Sequence, residues 1–401
     1  MRVPPRDLLL LSLVVVSTYT AEGIVELAMP PYLAARGSEE LAIGVVLAAT
    51  YVAAFLVRVP AGLLYSERRA SALVAGASLV VSAATLAYGL APDLVTLVFL
   101  RLVHGAFFSG VTTLNMAQFF DARPSDYGRG ATMGLMSAAL ALGYTFGNAI
   151  GGWWAELFGF PATFALAAVF PILAAVANSK VATPTPRAAP ADRPVGLRAG
   201  LRAARRPGIL LAAMLLFSLN FLNQMYGPFF NLYALGIGLS LTTIGLMRSV
   251  SSLAAVGTRL GAWVWSNALP PDAMSRLAIT VSAVLIAVTP LSTSIPILLV
   301  LATAVAMLRS VVTITGSMSV MEATDATPEQ RGVASAVFNM GKDVGSMSGP
   351  LFGGLVAQIA GIPTMMTVLP VATLALFWTI TLATLPALRR ERARTAGIVA
   401  E

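Results

Sequence analysis

Apolar stretches long enough to cross a lipid bilayer recur from one end of this sequence to the other, and only one polar interval between them is longer than a loop. A helix needs about 20 apolar residues to span the hydrocarbon core. No water reaches the backbone there, so each N–H and C=O must be satisfied within its own segment, which favours helices. Apolar length, broken by Pro, Gly and clustered charge, predicts twelve helices, at 8–33, 41–65, 71–90, 94–119, 130–154, 161–179, 208–235, 241–266, 274–291, 295–320, 331–356 and 363–385. Hydrophobic residues supply 57% of the chain and charged residues only 11%, which is too few charges to cover a water-soluble domain. The first apolar run follows Arg2 and Arg6 but continues to about Tyr32, past the roughly 7–15 apolar residues of a signal peptide, so it is read as a retained helix.

The polar interval, "KVATPTPRAAPADRPVGLRAGLRAARRPG", mixes proline with arginine and reads as a basic linker. The expected organisation is an N-terminal six-helix bundle over 1–180, a cytoplasmic linker over 181–207, and a C-terminal six-helix bundle with a cytoplasmic tail over 208–401. Arg2, Arg6, Arg68, Arg69, Arg123, Arg129, Arg276, Arg331, Arg389 and the linker arginines then fall on one side, and only Arg36 falls in the opposite loops. That bias predicts a multi-pass protein of the inner or plasma membrane with both termini cytoplasmic. The net charge of +8 is accounted for by this topology and by lipid contact, and no nucleic-acid partner is expected. The sequence has no cysteine and one histidine, and it lacks a Gly-x-x-x-x-Gly-Lys-Ser/Thr loop. No metal site, cofactor or enzymatic nucleophile is therefore expected.

The run "GYTFGNAIGGWW" at 143–154 returns, altered, as "GSMSGPLFGGLV" at 345–356. At a constant offset (331 − 129 = 202), Arg129 falls on Arg331, Gly130 on Gly332, Gly143 on Gly345, Gly147 on Gly349, Gly151 on Gly353, Gly152 on Gly354, Gly159 on Gly361 and Pro161 on Pro363. Gap-free identity of this kind implies a duplication, with the two halves parallel repeats in the same membrane orientation. Glycines every fourth residue form a stripe without side chains, which permits close helix approach for packing or for a moving gate.

Twelve helices in two parallel halves joined by a basic linker resemble the major facilitator superfamily of secondary transporters. The glycine run resembles the family's antiporter signature, Gly-x-x-x-Gly-Pro-x-x-Gly-Gly. Gly345, Gly349, Pro350, Gly353 and Gly354 match it fully; Gly143, Gly147, Gly151 and Gly152 match with Asn148 in place of proline. "RLVHGAFFSG" at 101–110 resembles the family's fourth-helix motif, with His104 where glutamine is usual. "GLLYSERR" at 62–69 keeps part of the second loop motif, with Ser66 at its acidic position and Glu67 beside it. The resemblance implies a cavity lined by the first, fourth, seventh and tenth helices, and two halves rocking about a midplane site.

Charges within the predicted helices mark a candidate pathway, because an ionisable side chain is costly in hydrocarbon. Counted by depth, Glu26 pairs with Arg101 and Glu22 with His104, and these four, with Asp343, form the proton-coupling set. Lys342 is one of only two lysines in the chain and, with Arg309, is a candidate for an anionic group of a substrate. Asn220, Asn223, Gln224 and Tyr226 cluster beside Gly227 and Pro228, where a helix break is expected, and Asn339 adds another amide. Arg58 and Arg259 are read as structural. The expected function is proton-coupled export of an amphiphilic, drug-like small molecule by a monomer in contact with membrane lipids. An organic-anion or sugar carrier, or a non-transporting receptor or lipid-handling protein on the same fold, are the alternatives.

Overall fold

The structure, a computed structural model, describes residues 6–63, 69–122, 129–181, 207–262, 270–323 and 328–399. Residues 182–206 of the predicted linker, the loop motif at Ser66, Glu67 and Arg68, and the side chains of Arg58, Arg129 and Arg331 lie outside the described residues. The rest is almost wholly helical: α1 (Arg6–Ala35), α2 (Glu40–Leu63), α3 (Ala70–Tyr88), α4 (Leu94–Asp121), α5 (Arg129–Ser179), α6 (Pro207–Gly236), α7 (Leu241–Leu260), α8 (Pro271–Val288), a 3-10 turn (Thr289–Leu291), α9 (Ile295–Ala323), α10 (Pro328–Ala360) and α11 (Ile362–Val399). Gly159, at φ 77°, breaks α5 into two arms, so the described residues form twelve rods. The last helix runs well past the predicted end at 385, and α6 passes through Pro228 unbroken, against expectation. Nine of the described helices are long and apolar enough to cross a membrane.

The duplication is visible in backbone geometry. Gly159 and Gly361 both adopt positive φ at equivalent turns, and so do Gly37 and Gly238. The latter two close matching helix ends. Gly37 N–H and Ser38 N–H donate to Ala34 and Leu33, while Gly238 N–H and Leu239 N–H donate to Leu235 and Ala234, all at 2.9–3.1 Å. The sequence comparison did not pair Gly37 with Gly238.

The glycine stripe serves two different contacts. A methyl group at Gly143 would sit 2.7 Å from Val16 O, one at Gly147 3.0 Å from Gly23 Cα, and one at Gly151 3.0 Å from Ile24 Cα, so these three seat α5 on α1. Gly345, Gly349 and Gly353 seat α10 on α6 in the same way, at Phe217, Phe221, Met225 and Phe229. The fourth glycine faces the opposite half. Gly152 meets the Leu241 carbonyl and Gly245 on α7, while Gly354 meets the Glu40 carbonyl on α2, beside Gly44. Asn148 and Pro350, at equivalent positions, each offer a backbone carbonyl to that crossing, Asn148 to Gly245 and Pro350 to Gly44. The Pro-to-Asn departure therefore leaves the contact intact.

These crossings, α5 on α7 and α10 on α2, join the halves. Helices α7 and α10 are not among the nine that qualify as membrane spans on their own. On α7, Arg248 and Ser249 direct their polar groups at the other half, towards Glu26 and the Thr145 carbonyl. Polar contacts reinforce the seam: Thr242 N–H donates to Glu156 at 3.0 Å, Ser249 Oγ to Thr145 O at 2.7 Å, and Gln358 Nε2 to Glu39 at 2.7 Å. Tyr51 Oη also donates across the halves, to Gln224 Oε1 at 2.8 Å. The seam thus closes the side bearing those turns.

Candidate functional site

Below the seam lies a central cavity shared by both halves. Its floor and walls come from α1, α2, α4 and α5 of one half and from α6, α7, α9 and α10 of the other. Two carboxylates of α1 stand at this level, four residues apart and so one turn apart on one face.

Glu22 is buried and faces α4, where His104 Nε2 lies 2.9 Å from its Oε2; the two side chains are 5% and 0% exposed. His104 Nδ1 lies 3.3 Å from Thr85 Oγ1. The Thr85 hydroxyl donates its single proton to Val81 O at 2.7 Å, so towards His104 it can only accept. That assigns the proton to Nδ1. Tyr88 and Phe108 each stack with the imidazole, with centroids 5.8 Å away. Gly105 brings α4 against the Thr50 backbone of α2, which explains the glycine that follows His104.

Glu26 faces the cavity. Its Oε2 lies 3.6 Å from Arg248 Nη2 on α7, with both side chains 21% exposed, and Tyr144 Oη donates to its Oε1 at 3.3 Å. Arg248 Nη1 also donates to Asn231 Oδ1 at 3.3 Å, and Asn231 Nδ2 reaches the Leu27 carbonyl at 3.3 Å. Glu26 is therefore clamped between tyrosine from its own half and arginine from the other. The weak spacing and partial exposure make this pair breakable.

The expected Glu26–Arg101 pair does not form. Arg101 is buried, its guanidinium carbon lies 5.9 Å from the Tyr88 ring centroid, and its Nε and Nη1 have no hydrogen-bond partner. Depth counting within one half could not see Arg248 approaching from the other. The rule that flags Arg101 and Arg309 applies equally to Arg248, which lies inside a predicted helix.

Of the seven residues expected to bind substrate, Asn223, Gln224, Tyr226 and Arg309 line the cavity. Asn220 does not; its amide bonds back to Leu216 O at 2.8 Å. Asn339 is exposed, and neither Lys342 nor Asp343 lines this cavity. Arg259, expected to be structural, lines it and donates from Nε to Ser310 Oγ at 3.3 Å. Tyr51 and Tyr144 are lining residues that the sequence reading missed, since a tyrosine in an apolar helix gives no depth or charge signal.

No curated protein matches the sequence. Residues 11–323 match the Major Facilitator Superfamily. Among solved structures, the fold is similar to a bacterial homolog of the human lysosomal transporter Spinster in an inward-facing, unoccupied conformation, with a TM-score of 0.77, 13% identity, and 96% of this chain and 98% of that chain covered. It is similar to the same homolog in its inward-facing, occupied conformation (TM-score 0.75, 13% identity, 94% and 96% covered). A mutant of the nucleoside transporter NupG matches with a TM-score of 0.75, 14% identity, and 95% and 99% covered. The chain belongs to the Major Facilitator Superfamily: it is a multi-pass membrane transporter, not an enzyme.

Proposed function

We propose that the chain is a proton-coupled secondary transporter that exports an amphiphilic small molecule by alternating access, with Glu26 as the carboxylate that takes up and returns the proton. The observation that carries this reading is the Glu26–Arg248 contact, an ion pair that spans the two halves at the wall of the cavity they share. Arg248 held against Glu26 favours the ionised carboxylate, and its withdrawal into the other half favours the protonated one. A rocking motion that parts the halves at this level becomes proton uptake, and the return motion becomes release.

With both termini cytoplasmic, as the arginine bias suggests, the closed side is extracellular and the cavity faces the cytoplasm, the state in which an exporter loads its cargo and an importer releases it. The test uses proteoliposomes with a trapped pH indicator and an imposed pH gradient, challenged with two bicyclic probes of opposite fixed charge, naphthalenesulfonate and N-methylquinolinium. We expect at least one probe to be accumulated uphill with matching proton movement. Accumulation that ignores the pH gradient would overturn proton coupling.

A further inference from the structure

Four arginines, Arg101, Arg248, Arg259 and Arg309, line the cavity, and Glu26 is the one acidic side chain in that lining. Glu26 is already engaged by Arg248. Among the described residues, no carboxylate lies within ion-pair distance of Arg259 or Arg309. Each is instead fixed by one neutral partner from the same half: Arg309 Nη1 donates to Asn223 Oδ1 at 2.8 Å, and Arg259 Nε donates to Ser310 Oγ at 3.3 Å. Ser310 follows Arg309 on α9, so Arg259 is anchored to the residue beside Arg309, and both arginines line the same cavity.

A guanidinium has five N–H donors in a rigid fork. A single anchoring bond holds each fork in place and leaves most of its donors unspent. Two like charges brought together without a counter-charge repel, and the surrounding hydrocarbon strengthens that repulsion. Anchored, unneutralised and solvent-accessible guanidiniums suit a group that accepts several hydrogen bonds and carries negative charge, such as a carboxylate, phosphate or sulfonate. One turn away on the same helix faces stand Val256 and Val305, both in the cavity wall, which give an apolar surface next to the cationic one.

We infer that the amphiphile is an organic anion whose acidic group docks between Arg259 and Arg309 while its apolar body lies along Val256 and Val305. The inference rests on the transport reading for its purpose and adds to it the charge and pose of the cargo. It also moves Arg259 from a structural role to a specificity-determining one.

The test measures binding to the purified full-length chain in neutral detergent, from the shift in melting temperature as ligand is titrated. The probes are naphthalenesulfonate, its uncharged sulfonamide and N-methylquinolinium. Naphthalenesulfonate should stabilise the protein most, and Arg259→Gln and Arg309→Gln should each weaken it by roughly tenfold or more, the scale of one charge-assisted hydrogen bond. The wild-type order of the three probes stands as evidence even if a variant fails to fold. Binding of the cation as tightly as the anion, or sulfonate affinity unchanged in both variants, would overturn the site. Added phosphatidylglycerol separates a free solute from a lipid headgroup: unchanged sulfonate affinity supports the solute, and displacement overturns it. Failure of the transport reading looks different. Sulfonate binding with the expected variant pattern but no gradient-driven accumulation of any probe would sink proton-coupled transport and leave the anion site standing.

Discussion

Glu22 and Glu26 lie four residues apart on α1, yet Glu22 faces His104 of its own half and Glu26 faces Arg248 across the cavity. The first pair is dry, short at 2.9 Å, and flanked by two aromatic rings. The second is 3.6 Å long, partly exposed, and made of elements from two halves. A buried contact between two helices of one half is suited to holding α1 against α4. A carboxylate whose counter-charge belongs to another body is suited to reporting where that body is. Under the proposed coupling, the half from which its partner comes, and not charge within a membrane helix alone, marks a coupling residue.

The largest expected effect tests the Glu22 side. His104→Ala leaves a buried carboxylate without its partner and should cost about 3–5 kcal/mol of stability, read as lost folded yield and a lower melting temperature. Replacing Glu22 as well, as Glu22→Leu with His104→Leu, should recover most of that loss. No recovery would mean that His104 matters through its aromatic stack instead.

A middle-sized effect separates the two carboxylates geometrically. Gly147 seats α5 on α1 at Thr20 and Gly23, on either side of Glu22 in sequence. Gly147→Leu should lift Tyr144 away from Glu26 and cost about 1–3 kcal/mol, while the Glu22–His104 contact on the α4 side survives. Transport should fall far more than for Leu157→Ala at an exposed position. Equal activity in the two variants would remove the helix contact from the cycle.

The smallest effect on stability belongs to Arg248→Gln. The pair is partly exposed, so the loss should be only about 1 kcal/mol. Its signature is conformational: spin labels or fluorophores on α1 and α7 should report a wider or more variable separation than in the wild type. An unchanged distance distribution would show that the contact does not help hold the halves together.

Much of this arrangement was legible in the sequence, and the gaps have physical causes. Helix number and most helix boundaries followed from apolar length, because the bilayer imposes a span. The duplication followed from glycine identities. The Glu22–His104 contact was reached by counting depth, which works when both residues belong to one bundle. The same count mispaired Glu26, because Arg248 enters through a crossing between halves that no local pattern records. Helix rotation was also invisible: Asn220 lies only three residues before Asn223, yet only Asn223 reaches the cavity. Arg259 was assigned to the helix end because it lies only seven residues from the predicted terminus at 266, whereas α7 crosses so that this residue faces inward beside Ser310.

The most direct measurement compares Glu26→Gln with Glu22→Gln in proteoliposomes, scoring uphill, gradient-driven accumulation of naphthalenesulfonate against its simple exchange across the membrane at equal pH. The expected result is that Glu26→Gln keeps exchange and loses uphill accumulation, because the cavity is intact and the titratable group is gone. Glu22→Gln should keep the ratio of the two activities even if the yield of folded protein falls. Undiminished uphill accumulation by Glu26→Gln, or its selective loss in Glu22→Gln, would contradict the assignment of coupling to the carboxylate that faces the other half.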